Sequence, residues 1–470
     1  MTTTTTAHSS TPAPADAFGV LGRSVALPVL LPGDEEYDTE VAAFNLATRH
    51  RPALVVRATC ADDIVAAIRY ARRTGLAVAV QSTGHGAVTS LDERSLLVTT
   101  SRLQHLHVDP AARTARIGAG LRWRPVIDAA AAYRLAPLSG SSSGVGAVGY
   151  TLGGGLGPLG RRYGFAADHV RSLEVVTGDG EVRTVTARTE PELFWGLRGG
   201  KGNFGIVTSM EVDLVPVSTL YGGGLFYAGE HAGTVLRAWR DWTRSLPEEM
   251  STSMALLRLP DHEDVPPPLR GVLSVHLRVA YCGDAEEGAR LVAPMRAAAP
   301  VLADLVREMP FVESDSIHQD PDHPVPGWEA GRLLDGLSDG SIDRLLEVAG
   351  PGRQVPLIMV ELRLLGGALG RPAAVPNAVA GRGGAFSVFV LGPAVPGLEE
   401  AVPAAGHAAL DALRADTAAT RLVNFLGEDT SPEAVSLAWT DEDRARLVAL
   451  KARYDPYNLF RTGHALPPGA

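Results

Sequence analysis

A single histidine, His85, stands between two glycines at the end of an apolar run, in AVAVQSTGHGAV (77–88). An imidazole held this way suits several kinds of chemistry: proton transfer, metal ligation, anchoring of a cofactor, or plain turn formation. Two glycine-rich stretches follow: GSSSGVGAVGYTLGGGLGPLGRRYGFAAD (140–168) and LFWGLRGGKGNFGIVT (193–208). Glycine at this density marks places where backbone must approach something closely. Within the first, Gly155-Leu-Gly157-Pro-Leu-Gly160 matches GxGxxG, and Asp179 follows at nearly the dinucleotide-fold distance. A Rossmann loop, however, leaves a strand, opens a helix and keeps its acid at the end of the next strand. This one follows a Ser/Gly stretch, Pro158 interrupts it, and Asp179 serves a turn, so it reads as packing of helix on sheet.

The elements that position these loops are legible from periodicity. Residues 53–58 read as a strand. Residues 61–73 carry Ile64, Val65, Ile68 and Ala71 at helical spacing behind an acidic first turn, and Gly75 stops them. Residues 76–81 read as a second buried strand. The three form a βαβ unit with His85 in the loop just past it. A strand over 96–100, a hairpin around Asp109-Pro110 and a helix over 124–134 come next. Residues 172–186 form a hairpin in which Asp179-Gly180 predicts a type I′ turn. From about 217 the glycine motifs give way to mixed strands and helices with Pro-rich loops, as expected of a second domain ending near 419. Residues 432–451 read as helical, and a compact aromatic segment follows.

The bulk properties narrow the function. At 470 residues, two domains are expected. With 45% hydrophobic and 20% charged residues and a net charge of −10, the chain reads as an acidic globular protein with no basic face for nucleic acid. No apolar run reaches membrane-spanning length. The Thr/Ser/Pro/Ala-rich N-terminus has neither the basic nor the apolar region of a signal peptide and reads as a disordered tail over 1–35. The two cysteines, Cys60 and Cys282, are far apart and in no metal spacing, which points away from disulfides and metal sites and toward a reducing cytoplasm.

Taken together, VAVQSTGHG, the two glycine stretches, NFLG (424–427) and YDPYNLFR (454–461) resemble the berberine bridge enzyme-like branch of the FAD-linked oxidases, in the vanillyl-alcohol oxidase superfamily. The resemblance runs from about 50 to 468, with several motifs in order. It implies an α+β fold. A PCMH-type FAD-binding domain over 36–216 would be completed by a C-terminal return over 420–470. A substrate domain over 217–419 would be built on an antiparallel sheet.

The resemblance also implies residue roles. His85 matches the histidine that carries flavin covalently at its 8α-methyl group. Gln81, Ser82, Thr83, Gly84, Gly86 and Ala87 would lie against the cofactor, where successive N–H groups can form an anion nest. Ser142 falls where many relatives bond flavin C6 through a cysteine, so a single attachment is implied. Val145 matches a position whose small residue goes with access of dioxygen. Gly140, Gly146, Gly149, Gly153 and Gly154 would contact flavin or phosphates by backbone. Gly205 and Val207 resemble the adenine clasp, and Asn458 and Phe460 the C-terminal return. Asn424 and Asp455 read as mainly structural, since both are turn formers.

Two departures concern catalysis. The family strand Tyr-x-Asn-Tyr is Leu422-Val-Asn424-Phe425 here, and leucine cannot act as a base. After Phe460-Arg461 the chain has Gly463-His464-Ala465 instead of Asn-x-Asn, so His464 becomes a candidate titrating group. Glu361 and Arg363 alternate on a run that relatives place above the flavin, so both could point into the cleft. Arg382 reads as a solvated arginine and Tyr163 as a packing residue. The expectation is an FAD-dependent oxidase. It would transfer hydride from an alcohol, amine or glycosidic C–H of a secondary metabolite, with O2 as oxidant and H2O2 as product. The alternative is a flavin-containing cyclase or lyase without net oxidation. The expected partners are a small-molecule substrate and O2, not nucleic acid or membrane. A bacterial, cytoplasmic monomer or homodimer is expected.

Overall fold

The computed structural model describes residues 28–468. The predicted tail lies mostly outside the described residues, but its boundary at 35 falls too late. Val29–Leu30 form β1, antiparallel to β2 (Leu54–Arg57), because Leu30 buries against Tyr37, Val41, Val55 and Leu97. The helix Ala61–Thr74 follows β2. Asp63 Oδ2 accepts from the Thr59 and Cys60 N–H groups at its start, and its Ile64, Ala67, Ile68 and Ala71 are buried. Gly75 ends it at φ 77, a left-handed value that suits glycine. β3 (Ala77–Gln81) and β4 (Ser95–Thr99) complete a sheet ordered β1-β2-β4-β3. The predicted βαβ unit is therefore split: β2 and β3 each pair in parallel with β4, which lies between them.

A second sheet, ordered β5-β6-β9-β7-β8, is built from β5 (Leu106–Asp109), β6 (Thr114–Gly118), β7 (Val170–Thr177), β8 (Val182–Thr186) and β9 (Gly205–Asp213). The β7–β8 turn is not type I′. Gly180 has φ 85 but Asp179 is not in the left-handed region. Gly180 N–H donates to Thr177 O, and Asp179 Oδ1 accepts from Glu181 N–H, which is a type I turn closed by a left-handed glycine. The helix Trp123–Ala131 and the first sheet share one core with this second sheet.

The third sheet has eight strands, all paired antiparallel. Its path includes β10 (Thr219–Ala228), β11 (Met250–Arg258), β12 (Leu273–Tyr281), β13 (Val301–Asp304), β15 (Gly327–Leu334), β16 (Met359–Leu364) and β17 (Phe386–Pro393), while β14 (Arg307–Pro310) pairs with β10. Period-2 alternation divides its faces. Val360, Leu362, Val388 and Val390 pack into a core with the helices Ala232–Thr243, Asp339–Ala349 and Ala401–Ala412. Met359, Arg363, Phe389 and Leu391 face the first two sheets across a cavity.

The chain then returns. Residues 422–425 are not the predicted strand, since Val423–Phe425 form a 3-10 turn. The expected helix over 432–451 is two helices, Pro432–Ser436 and Asp441–Tyr454. A fully buried pair fixes the last segment: Lys451 Nζ lies 2.8 Å from Asp455 Oδ2. Asp455 also accepts from the N–H groups of Leu459 and Phe460, and Leu459 O accepts from Val78 N–H of β3. No helix among the described residues is long and apolar enough to cross a membrane.

Candidate active site

A cavity of about 580 Å³ lies between the glycine loops and the open face of the third sheet. From the end of β3 and the loop after it, the cavity is lined by Gln81, Ser82, Thr83, Gly84, His85, Gly86 and Ala87. Gly140, Ser142, Val145, Gly146 and Gly149 line it from the Gly/Ser loop, and Gly205 and Val207 from β9. Arg363, Phe460 and His464 complete the predicted residues that reach it. Four predicted residues do not. A Cβ on Gly153 would sit 1.9 Å from Asn424 Oδ1, and Gly154 packs on Val379, so both are glycines for packing. Asn458, at φ 48, turns the chain, and Glu361, although on the same face as Met359 and Arg363, is fully buried.

His85 is placed by contacts on three sides. Gly84 has φ 74, and a Cβ there would lie 2.6 Å from Ala43 Cα, so the loop is drawn tightly onto the Ala43-Phe44 backbone. The imidazole stacks on Phe44 with ring centroids 3.7 Å apart. Its Nδ1 is 2.8 Å from Thr83 Oγ1. Burial, aided by the Arg122 charge, pushes its pKa down to about 4, so the ring is neutral at pH 7. Ser142 Oγ accepts from Gly144 N–H, and neither Cys60 nor Cys282 lines the cavity.

Above the cavity, Glu361 Oε1 accepts from Ser253 Oγ (2.7 Å) and Arg278 Nη1 (2.6 Å), and its Oε2 accepts from Arg363 Nε (2.8 Å). The Arg363 and Arg278 charges hold its carboxyl well below the usual range despite burial. The expectation that Glu361 points into the cleft is corrected: its neighbours consume it, and only Arg363 reaches the cavity.

His464 lines the cavity, but its Nε2 donates to Gly427 O at 2.9 Å. Burial pushes its pKa down to about 3, so it is a weak proton acceptor. Leu422 packs with Phe165, Leu333 and Val379 away from the cavity. Asn424 and Phe425 line it instead, and Asn424 Nδ2 donates to Tyr150 O. Arg382 is not solvated; it pairs with Asp168 and lies over the Phe165 ring.

Several lining residues escaped the sequence reading: Tyr150, Lys201, Asp320 and Glu329. Lys201, alone among glycines in GGKGN, carried a visible signal, as did Tyr150 inside GAVGYTLGGG. Asp320 sits in a Pro-rich loop, where no pattern marks it. Its carboxylate accepts from Ser141 Oγ at 2.7 Å.

The cavity suits a long ligand carrying phosphates and a flat ring. Its glycines leave room: a Cβ at Gly86 or Gly149 would meet nothing within 4 Å. Ser82 Oγ and Tyr150 Oη are buried at its wall without a protein partner. Comparison with known proteins accords with this. The family described as "FAD binding domain" matches residues 52–186, and "Berberine and berberine like" matches residues 423–467. (R)-6-hydroxynicotine oxidase of Paenarthrobacter nicotinovorans is 29% identical over 94% of this chain and 96% of its own. The chain belongs to the berberine bridge enzyme-like FAD-linked oxidases. The oxidase shares its fold with solved relatives. 6-Hydroxy-D-nicotine oxidase from Arthrobacter nicotinovorans superposes with a TM-score of 0.82 at 24% identity, over 94% of this chain and 98% of that one. Xylooligosaccharide oxidase from Myceliophthora thermophila C1 gives 0.83 at 20%, over 97% and 100%. The mixed α/β architecture is thus the PCMH-type FAD-binding fold with an antiparallel second sheet.

Proposed function

We propose that this FAD-linked oxidase carries its flavin on His85 as the sole covalent tether and oxidises a C–H bond of a polar alcohol, amine or glycoside. The observation that carries the reading is the His85 imidazole. It is neutral, lies in the cavity wall, and is fixed through Nδ1, while its Nε2 has no partner among the described residues. A neutral ring can act as a nucleophile toward an electrophilic cofactor carbon, whereas a protonated one cannot. Gly84, Gly86, Gly146 and Gly149 would admit the cofactor by backbone, with Ser82 Oγ and Tyr150 Oη as free hydrogen-bonding groups. When bound, FAD supplies the acceptor for a substrate hydride and returns the electrons to O2 as H2O2.

The substrate class follows from the lining and from the relatives. Arg363, Lys201, Glu329 and Asp320 make part of the wall charged, while Met359, Phe389 and Leu391 make the roof apolar. Such a mixture suits a polar, ring-bearing molecule, and the names of the relatives cover both a hydroxynicotine and a xylooligosaccharide. Val145, the small residue in the cavity wall, supports dioxygen access. A cyclase without net oxidation was favoured by Leu422, but that residue lies off the cavity. The test is anaerobic mixing with a panel of cyclic secondary amines and reducing oligosaccharides. A substrate bleaches the flavin absorbance, and admitted oxygen restores it with release of peroxide. Product formation with oxidised flavin and no oxygen uptake would overturn the oxidase reading.

A further inference from the structure

Two charged side chains in the cavity, Lys201 and Glu329, make no side-chain hydrogen bond or salt bridge among the described residues, although each feels the other's charge. Both are half-buried in the cavity wall, and a charge partly withdrawn from water without a partner is costly and marks a site where something else is to be met. Both are presented by fixed backbone. Lys201 sits at φ 56, with its N–H donating to Leu152 O at 3.1 Å. Glu329 lies on β15 opposite Leu391 of β17, which lies opposite Met359 of β16, so the three side chains share the cavity face. Its own carbonyl accepts from Glu428 N–H at 3.3 Å. Of the neighbouring acids and histidines, Glu361 accepts from Arg278, Arg363 and Ser253, Asp320 accepts from Ser141, and His464 donates to Gly427.

We propose that Glu329 is the residue that takes the substrate's proton, with Lys201 facing it as the counter-charge. This rests on the oxidase reading. As the substrate's C–H bond breaks and its electron pair leaves with the hydrogen to FAD, the adjacent O–H or N–H bond also breaks. Its proton passes to a Glu329 carboxylate oxygen, and the substrate becomes a carbonyl or imine. The substrate loses two electrons and FAD gains them.

The electrostatic setting suits the task. Burial, together with Glu428, pushes the Glu329 carboxyl up to about 7, against the pull of Lys201. Burial pushes Lys201 down to about 8, against the pull of Glu329. His464, which also faces Lys201, is neutral. Leu391 and Met359 bring no charge from the adjoining strands, and Arg363 is paired with Glu361, which it shares with Arg278. A base whose pKa lies near the working pH is the efficient one.

The experiment uses the holoenzyme and the panel member that bleaches the wild-type flavin fastest, with the reduction rate followed against pH by anaerobic stopped flow. Infrared titration of carboxyl C=O absorption, which needs no substrate, runs in parallel. The expected result is a wild-type rate that rises through an inflection near neutral pH. Glu329→Gln should lower it roughly 10²–10⁴-fold and remove the inflection, while Glu329→Asp restores part of the rate and keeps the inflection. A carboxyl band titrating near neutral pH should vanish in Glu329→Gln. Flavin reduction in Glu329→Gln at the wild-type rate and pH profile overturns the inference, as does a neutral-range carboxyl band that survives that substitution. If no panel member bleaches the wild-type flavin, the oxidase reading fails and the inference falls with it. Bleaching that ignores residue 329 sinks the inference alone.

Discussion

Arg363 Nε lies 2.8 Å from Glu361 Oε2, and the two residues, alternate on one strand, divide their roles by that bond. Glu361 is fully buried with two arginines around it, and Arg363 carries the resulting orientation into the cavity. Glu361→Gln keeps the shape but leaves Arg278 and Arg363 buried without a counter-charge. The expected loss is about 3–5 kcal/mol, measured as a fall in the thermal midpoint. Ser253→Ala, which removes a single hydrogen bond to the same carboxylate, should cost only about 1 kcal/mol.

The glycines beside His85 should respond unequally. A Cβ at Gly84 would strike Ala43 at 2.6 Å from a left-handed backbone, while one at Gly86 meets nothing within 4 Å. Gly84→Ala should therefore yield poorly folded, flavin-poor protein. Gly86→Ala should fold normally. Its flavin absorbance per chain then reports how closely the cofactor lies over that loop.

Acid should destabilise the protein through the buried neutral His464. The unfolded imidazole binds its proton near pH 6.5, whereas burial holds His464 to about 3. Between these values the unfolded chain holds more protons, so stability rises with pH in that window and falls as acid is added. Such a group contributes about 1.4 kcal/mol per pH unit at most. His464→Asn, whose amide can still donate to Gly427 O, should flatten the fall in the thermal midpoint between pH 6.5 and pH 4. An unchanged slope would show that His464 is already protonated in the folded state.

Local order was readable where one face of an element is apolar. The helix Ala61–Thr74, β2, β3 and the β7–β8 hairpin follow their patterns within a residue or two, because burial of Ile64, Ile68 and Val176 agrees with local propensity. Strand order was not readable. Nothing in residues 53–81 says that β4, from 95–99, will insert between β2 and β3. The site divides in the same way. The loop around His85 announced itself through its glycines. Glu361 and Arg363 were found as a pair, but the alternation that puts both on one face does not reveal which one the neighbours neutralise. Glu329 was missed because an acid in a strand of ordinary composition gains meaning only when the sheet brings it to the cavity that Lys201 also lines. Leu422 misled because residues 423–425 form a turn, so its side chain leaves the cavity and Asn424 takes its place.

The central claim is that His85 alone tethers the flavin. Its most direct test is acid precipitation of the purified yellow protein, followed by protease digestion and mass analysis of flavin-bearing peptides. The account predicts that flavin stays with the precipitated wild-type chain, on the peptide that contains His85 and on no other. In His85→Ala all flavin should pass to the supernatant. Flavin released from the wild-type protein, or retained by His85→Ala, would contradict it.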